Sequence, residues 1–495
     1  MLKILSPDQI KSLDAATIQR EPITSIALME RACEAFIQWF SERFDPTKRI
    51  GIVCGTGNNG GDGLGIARIL KEWGYPVKVW IVKGKESEDF KINLDRLKGK
   101  VEIDDFPASS KADIFSDRQI LIDSIFGSGL SRAAEGIYAQ AINEFNNHQG
   151  VRIAIDIPSG LFSDKHSAGV IARVHHTVSF QLPKLAFLFP ENYQYVGQWH
   201  IADIGLDRSF IQSAQTPYYY LTRKSVKKIL KPRSMFEHKG DHGKALLIAG
   251  SYGKMGACIL SARACLRAGV GLLTAHIPRT GYSIVQSAVP EAMTSVDANN
   301  EFLSEVPPLD SYDVIGIGPG LGQSPETIKA FTKILAASKP MVIDADGLNI
   351  LAANSDLLQA IPSECILTPH PKEFERLVGS WKDDFDRLEK QIRLSKEIKA
   401  VIILKGAHTS IATPAGNVYF NSTGNPGMAI GGAGDVLTGI LTGLLAQKYS
   451  AEEAAIMGVY LHGLSGDLAA REKGMNSLIS SDLIDFLPAA FKSIL

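Results

Sequence analysis

Residues 50–74 read IGIVCGTGNNGGDGLGIARILKEWG, an apolar run, a glycine cluster and an amphipathic stretch in immediate succession. The apolar run has the length of a buried strand, and GIARILKEWG carries the spacing of a helix. Gly55, Gly57 and Gly60 satisfy G-x-G-x-x-G in the strand–turn–helix context that gives the motif meaning. Glycines there let the backbone approach phosphate oxygens, and the helix start supplies N–H donors. The competing reading, a turn that merely packs strand against helix, fits this context less well. A dinucleotide site also wants an acidic residue about 20 positions on, ending the next strand. That strand ends Val82-Lys83-Gly84, and the turn itself carries Asn58, Asn59 and Asp62. Hydride transfer from a bound nicotinamide is therefore not the expected chemistry.

Working outward, VKVWIV (77–82), ILIDSIFG (120–127) and VRIAIDIPSG (151–160) read as further buried strands, with helices such as IYAQAINEFNNH between them. Ser6-Pro7 reads as the N-cap and first residue of an opening helix. Asp123 and Asp156 sit at strand ends, where open α/β sheets collect ligands, and residues 127–132 (GSGLSR) form a second candidate phosphate loop. With Asn59 these aspartates could cage a hard cation, or act only as structural caps. The pattern restarts with KALLIAGS, YDVIGIGPG, PMVIDADG, CILTPH and AVIILKG after a polar, aromatic and basic stretch near residues 208–228. Two doubly wound α/β domains are expected.

The totals agree. The chain of 495 residues exceeds what one core usually supports, and its 45% hydrophobic and 21% charged content is that of a globular protein. A net charge of -1 gives no reason to bind nucleic acid or anionic membrane. The longest apolar stretch, residues 436–446, is far short of a membrane span, and MLKILSPDQIKSLD lacks a signal-peptide core. Five scattered cysteines without a C-x-x-C pair read as free thiols, and a cytoplasmic location is expected.

In the second half, GNPGMAIGGAGD (424–435) opens the apolar helix VLTGILTGLLAQ. Successive backbone N–H groups in such a run make an anion hole, and Asp435 is placed to take a proton from an attacking hydroxyl. The alternative for Asp435 is a helix cap. LKGAHTS (404–410) follows a strand, as do GPGLG (318–322) and TPHPKE (368–373). Gly256 and Ala257 mark another strand-to-helix turn.

NNGGDG, DSIFGSG and DIPSG, in this order and spacing, resemble the NAD(P)H-hydrate epimerase family over about residues 1–210. The resemblance implies that Asn58, Asn59, Gly60, Gly61 and Asp62 bind the hydrate, as do Gly127, Ser128, Gly129, Leu130, Ser131, Arg132 and Ala133. It further implies that Asn59, Asp123 and Ser159 hold a potassium ion and that Asp156 lies at the substrate ring as acid/base. The histidine-rich RVHHTVSF departs from the family pattern. TPHPKEF, LKGAHT and NPGMAIGGAGD resemble the ADP-dependent NAD(P)H-hydrate dehydratases, with the GxGD motif of ribokinase-like enzymes, over about residues 225–490. That implies substrate contacts at Ala257, Gly320, His370 and Asp435. It places the nucleotide on Lys405, Gly406, Ala407, His408, Thr409 and Gly434.

The expected architecture is two three-layer αβα domains, residues 1–212 Rossmann-like and 225–495 ribokinase-like. The expected partners are NAD(P)H hydrates and ADP (or ATP) with Mg2+, in a homo-oligomer. The rival reading is a ribokinase-like small-molecule kinase fused to a non-catalytic nucleotide-binding module.

Overall fold

The computed structural model describes residues 1–107 and 114–495, in two compact units. One comprises Leu2–Thr216 with Asp383–Phe385; the other comprises Pro217–Lys382 and Asp386–Leu495 with Met1.

Seven parallel strands form the sheet of the N-terminal unit: β1 (Ile50–Cys54), β2 (Val77–Ile81), β3 (Glu102–Asp105), β4 (Ile120–Ser124), β5 (Val151–Ile155), β6 (His176–Phe180) and β7 (Gln198–Ala202). Their spatial order is β3-β2-β1-β4-β5-β6-β7. The central strands are buried and mostly apolar because both faces are covered. Phe36, Phe40, Leu64 and Leu70 pack with Ile52 and Ile122 in one buried cluster, while Phe115, Ile142 and Phe145 pack with Val53 and Leu121 in another. Strand order reverses between β1 and β4, which opens a crevice at their carboxyl ends. The opening helix Pro7–Arg20 is capped as expected: Ser6 and Gln9 form a reciprocal capping box, with Pro at the first position.

The glycine cluster is not a free loop. Helix α1 (Asn58–Glu72) begins at Asn58 with Gly57 as N-cap, so NNGGDG forms its first turns. A Cβ on Gly60 would lie 1.9 Å from the Gly55 carbonyl oxygen, and one on Gly55 would lie 2.1 Å from that of Ile125. Two of the three signature glycines thus serve close approach of helix, β1 and β4, while Gly57 has open space around its Cβ position.

The C-terminal unit carries β8 (Tyr218–Tyr220), β9 (Lys244–Ile248), β10 (Leu272–Ile277), β11 (Met293–Val296), β12 (Val314–Ile317), β13 (Met341–Ile343), β14 (Ile366–Leu367), β15 (Val401–Leu404), β16 (Ser410–Ala412) and β17 (Val418–Phe420). They lie in the order β8-β17-β16-β15-β14-β13-β12-β9-β10-β11. Strands β9 to β15 are parallel, and β16 and β17 add an antiparallel meander at one side. Order reverses at β9, between β12 and β10. Helices used below are α2 (Met255–Arg267), α3 (Pro371–Val378), α4 (Ala433–Ala446) and α5 (Ala451–Lys473). The apolar run in α4 is explained by burial: Val436, Ile440 and Leu444 join the main core, and Gly439 approaches α2 so closely that a Cβ would lie 2.1 Å from the Ser261 carbonyl oxygen. No helix among the described residues is long and apolar enough to cross a membrane. All five cysteines are buried and free.

Candidate active sites in the two domains

In the N-terminal unit the three motifs meet at the β1–β4 crevice. Asp123, within β4, is fully buried and accepts from the Ser159 backbone N–H at 2.7 Å and the Ser159 hydroxyl at 2.6 Å. Ser159 Oγ in turn accepts from the Phe126 N–H at 2.8 Å, and the Asn59 amide donates to the Phe126 carbonyl at 3.0 Å. The structure therefore brings Asn59, Asp123 and Ser159 together around one carbonyl. Burial pushes the Asp123 carboxyl up to about 6 even though the Ser159 bonds favour its charged form. An amide, a carbonyl, a hydroxyl and a carboxylate are the hard oxygen donors that an alkali cation takes, so this donor set fits potassium. Gly127 closes against Asn59, where a Cβ would meet Asn59 Cβ at 3.3 Å. Onward to Ala133 the segment reaches the surface, with Gly129, Ser131 and Arg132 exposed.

Asp156 does not join that cage, contrary to a reading in which both strand-end aspartates hold the cation. It follows β5 directly with φ at 65°, and its carboxylate is ion-paired with Lys184 and accepts from the Phe180 N–H at 3.2 Å. Lys184, whose side chain is 4% exposed, also donates to Ser179 Oγ at 2.7 Å. A lone buried ammonium is costly, and Asp156 neutralises it. Two further carboxyls lie close enough to feel the Asp156 charge, and neither has a side-chain hydrogen bond among the described residues. Burial holds Asp62 well above the usual carboxylate range, with Asp156, Asp14 and Asp89 adding to the effect. Burial likewise raises Asp14 to about 6, Asp156 adding and Lys184 opposing. Sequence reasoning missed Asp14 and Lys184 because neither lies in a motif.

In the C-terminal unit, residues after β9 and β12 meet at the strand-order reversal. A Cβ on Gly320, itself at φ 62°, would lie 3.2 Å from the Ala257 side chain. Ser251 donates to the Gly320 carbonyl at 2.7 Å. Gly256 and Ala257 are in the first turn of α2 rather than in a turn before it. His370 is the N-cap of α3: its Nδ1 accepts from the N–H groups of Lys372 and Glu373 at 3.1 and 3.3 Å. One ring nitrogen is thereby committed to the helix, and Nε2 lies 3.4 Å from Glu373.

Asp435 is not a helix cap. Gly432, at φ 89°, takes the N-cap position of α4, and Asp435 sits in the first turn with no hydrogen bond to its carboxylate. Burial pushes that carboxyl up to about 6, with the Asp344 charge adding and Lys405 opposing. Lys405 leaves β15 and donates to Asp344 Oδ1 at 2.9 Å, with Glu373 3.9 Å away. A Cβ on Gly434 would lie 3.3 Å from Lys405 Nζ, so the ammonium lies directly against the glycine run. Gly406 and Thr409 close a turn on each other, and Ala407 within it is exposed. His408 Nδ1 is 3.1 Å from the Asn421 carbonyl, which fixes the ring within the fold. Asp344, Glu373 and Thr438 were not singled out from sequence. Asp344 had a legible signal in VIDADG, a carboxylate at the carboxyl end of a strand.

Comparison with known proteins fits both halves. The NAD(P)H-hydrate dehydratase family profile matches residues 245–489, and the profile described as YjeF-related protein N-terminus matches residues 25–186. The Bifunctional NAD(P)H-hydrate repair enzyme Nnr of Moorella thermoacetica is 37% identical over 518 residues, covering 99% of this chain and 97% of that one. The chain belongs to the bifunctional NAD(P)H-hydrate repair enzymes. This repair enzyme combines NAD(P)H-hydrate epimerase and dehydratase activities. The full-length match replaces the reading as a kinase fused to a non-catalytic module. The Escherichia coli enzyme of the same name is 33% identical, covering 94% of this chain and 89% of that one. Among solved structures, a ribokinase-like superfamily protein from Enterococcus faecalis is 28% identical with a TM-score of 0.51, covering 57% of this chain and 98% of that one. An ADP/ATP-dependent NAD(P)H-hydrate dehydratase from Bacillus subtilis, co-crystallized with ATP/Mg2+, is 31% identical with a TM-score of 0.49, covering 56% of this chain and 99% of that one.

Proposed function

We propose that the repair enzyme interconverts the R and S hydrates in its N-terminal unit and dehydrates the S form in its C-terminal unit at the expense of ADP, giving AMP and phosphate. The observation that carries the second step is Asp435, a carboxylate without a hydrogen-bond partner, in the first turn of α4 beside Lys405. The hydrate's hydroxyl sits on a saturated ring carbon, and hydroxide is a poor leaving group. Asp435 takes the hydroxyl proton as the oxygen bonds to the terminal phosphorus of the nucleotide and the bond to AMP breaks. Backbone N–H groups of residues 431–434 and the Lys405 ammonium face the charge of the transferring group. The ring nitrogen lone pair then expels phosphate, and loss of a ring proton restores the dihydropyridine. Mg2+ would neutralise charge on the nucleotide phosphates. Lys405, Gly406, Ala407, His408, Thr409 and Gly434 hold the nucleotide in this reading. Ala257, Gly320 and His370 hold the hydrate beside Asp435.

In the N-terminal unit, residues 58–62 and 127–133 hold the hydrate at the crevice. Asn59, Asp123 and Ser159 would hold potassium, which supplies positive charge beside the substrate's phosphates. Asp156 presents its Lys184-neutralised carboxylate to the ring. A homo-oligomer in the cytoplasm remains the expected setting. The test is recovery of NADH absorbance from a mixture of hydrate epimers with ADP and Mg2+, with phosphate and AMP counted. One phosphate and one AMP per NADH supports the reading. A stable phosphorylated product with no NADH would sink it.

A further inference from the structure

The Asp344 carboxylate sits at the centre of the dehydratase site yet has no part in the chemistry above. It directly follows β13, is 1% exposed, and is fastened from both sides. Lys405 donates to Oδ1 at 2.9 Å, and the Thr438 hydroxyl, one turn along α4 from Asp435, donates to Oδ2 at 2.7 Å. A Cβ on Gly434 would stand 3.6 Å from Asp344 Oδ2 and 3.3 Å from Lys405 Nζ, so the pair lies immediately beneath the glycine run.

A buried carboxylate needs a reason, since desolvation opposes its charge. Burial alone would raise the Asp344 carboxyl, but the Lys405 ammonium and the Thr438 hydroxyl hold it below the usual range, and it stays ionised. It therefore presents a fixed negative charge to the first turn of α4. The groups that face Asp435 are Asp344 from β13 and Lys405 from β15, opposite in sign. His462 of α5 lies on the other side of that turn, its Nε2 3.0 Å from the Ala433 carbonyl. Burial holds its imidazole down to about 4, so it is uncharged at working pH.

We infer that Asp344 is a positioning residue of the dehydratase, which aims the Lys405 ammonium at the transferring phosphoryl group and, fastened through Thr438 to the same helix as Asp435, fixes the charge beside that base. A base with too little proton affinity would be a weak acceptor for the hydroxyl proton. Asp344 tunes that affinity upward while Thr438 ties it to the same helix turn as the base. Lys405, held at one carboxylate oxygen, is prevented from swinging across to neutralise Asp435 directly. The inference rests on Asp435 being the base, and the experiment separates the two.

The full chain is assayed for NADH recovery from the hydrate mixture with ADP and Mg2+ as a function of pH, in the wild type, Asp344→Asn, Lys405→Met and Asp435→Asn. Abolished recovery in Asp435→Asn supports the base assignment, and retained recovery overturns that assignment and the inference with it, whereas the Asp344→Asn result bears on the inference alone. In Asp344→Asn the acid limb of kcat should move down by about one pH unit, with a raised KM for ADP as Lys405 loosens. In Lys405→Met the same limb should move up. A purely structural Asp344 would lower activity without moving the limb, and an unmoved limb in Asp344→Asn overturns the inference. Should Asp344→Asn fail to fold, Thr438→Val decides, since it removes the hydroxyl bonded to Asp344 Oδ2, and an unmoved limb with an unchanged KM for ADP there overturns the inference equally.

Discussion

The two sites of this enzyme begin from the same element, a carboxylate at the carboxyl end of a parallel strand, and use it in different ways. Asp123 of β4 and Asp344, directly after β13, are a matched pair: each is almost wholly buried and each accepts from a hydroxyl on another segment, Ser159 and Thr438 respectively. Both fasten their sites. The carboxyls free of hydrogen bonds differ more. In the C-terminal unit that group is Asp435, inside the sequence motif itself. In the N-terminal unit the motif residue Asp156 is taken up by Lys184, and the carboxyls near the pair without a side-chain hydrogen bond are Asp62 and Asp14. A strand-end aspartate thus marks where a site is, while its partners decide what it can do.

The largest expected effect tests this contrast at Asp435. Asp435→Asn should lower the dehydratase kcat by roughly 10³-fold or more while epimer exchange, followed by chromatography, continues unchanged. Next is the buried pair. Lys184→Met leaves the buried Asp156 carboxylate without its counter-ion and should destabilise the N-terminal unit by about 3–5 kcal/mol in denaturant unfolding, whereas the double variant with Asp156→Asn should lose markedly less. Equal losses in both would show that the pair is not coupled.

A smaller effect follows from linkage at Asp435. Its folded pKa of about 6 lies above the ordinary carboxylate value of 3.8, so the folded state binds more protons and loses stability as pH rises between those values. Asp435→Asn should therefore stabilise the C-terminal unit at pH 7, by about 1–2 kcal/mol after allowance for solvent screening, and leave it unchanged near pH 3. The same logic predicts that dehydratase kcat climbs from pH 5 to 7 with its half-point near the Asp435 pKa of about 6. The smallest effect belongs to Asp14. It titrates at about 6, so Asp14→Asn should flatten the epimerase pH profile around that value with only a several-fold change in rate at pH 7.

Much of the parallel core was legible in the sequence, because strands such as β1, β12 and β15 are apolar runs followed closely by glycine. Some of the strands not recognised have physical reasons for their silence. β3 reads EIDD at an exposed edge, β6 carries a histidine, and β8, β16 and β17 are three residues each; β7, β10 and β11 also went unread. The helix start at Asn58 was taken for loop, since NNGGDG has the composition of a turn; close approach to β1 and β4 imposes helix there. Among site residues, those inside glycine-rich motifs announced themselves. Lys184, Asp14 and Thr438 did not, because each owes its role to a partner distant in the chain. Asp344 could have been found by applying to VIDADG the rule already applied to LIDS and AIDIPSG.

The most direct test follows NADH absorbance when the full chain, Asp156→Asn and Asp435→Asn each meet a mixture of R and S hydrates with ADP and Mg2+. Wild type should recover the band completely. Asp156→Asn should stop, after a rapid phase, at the share of the S epimer, and Asp435→Asn should recover nothing while still equilibrating the epimers. Rapid and complete recovery by Asp156→Asn, or recovery by Asp435→Asn at a rate near that of the wild type, would contradict the division of labour assigned to the two carboxylates.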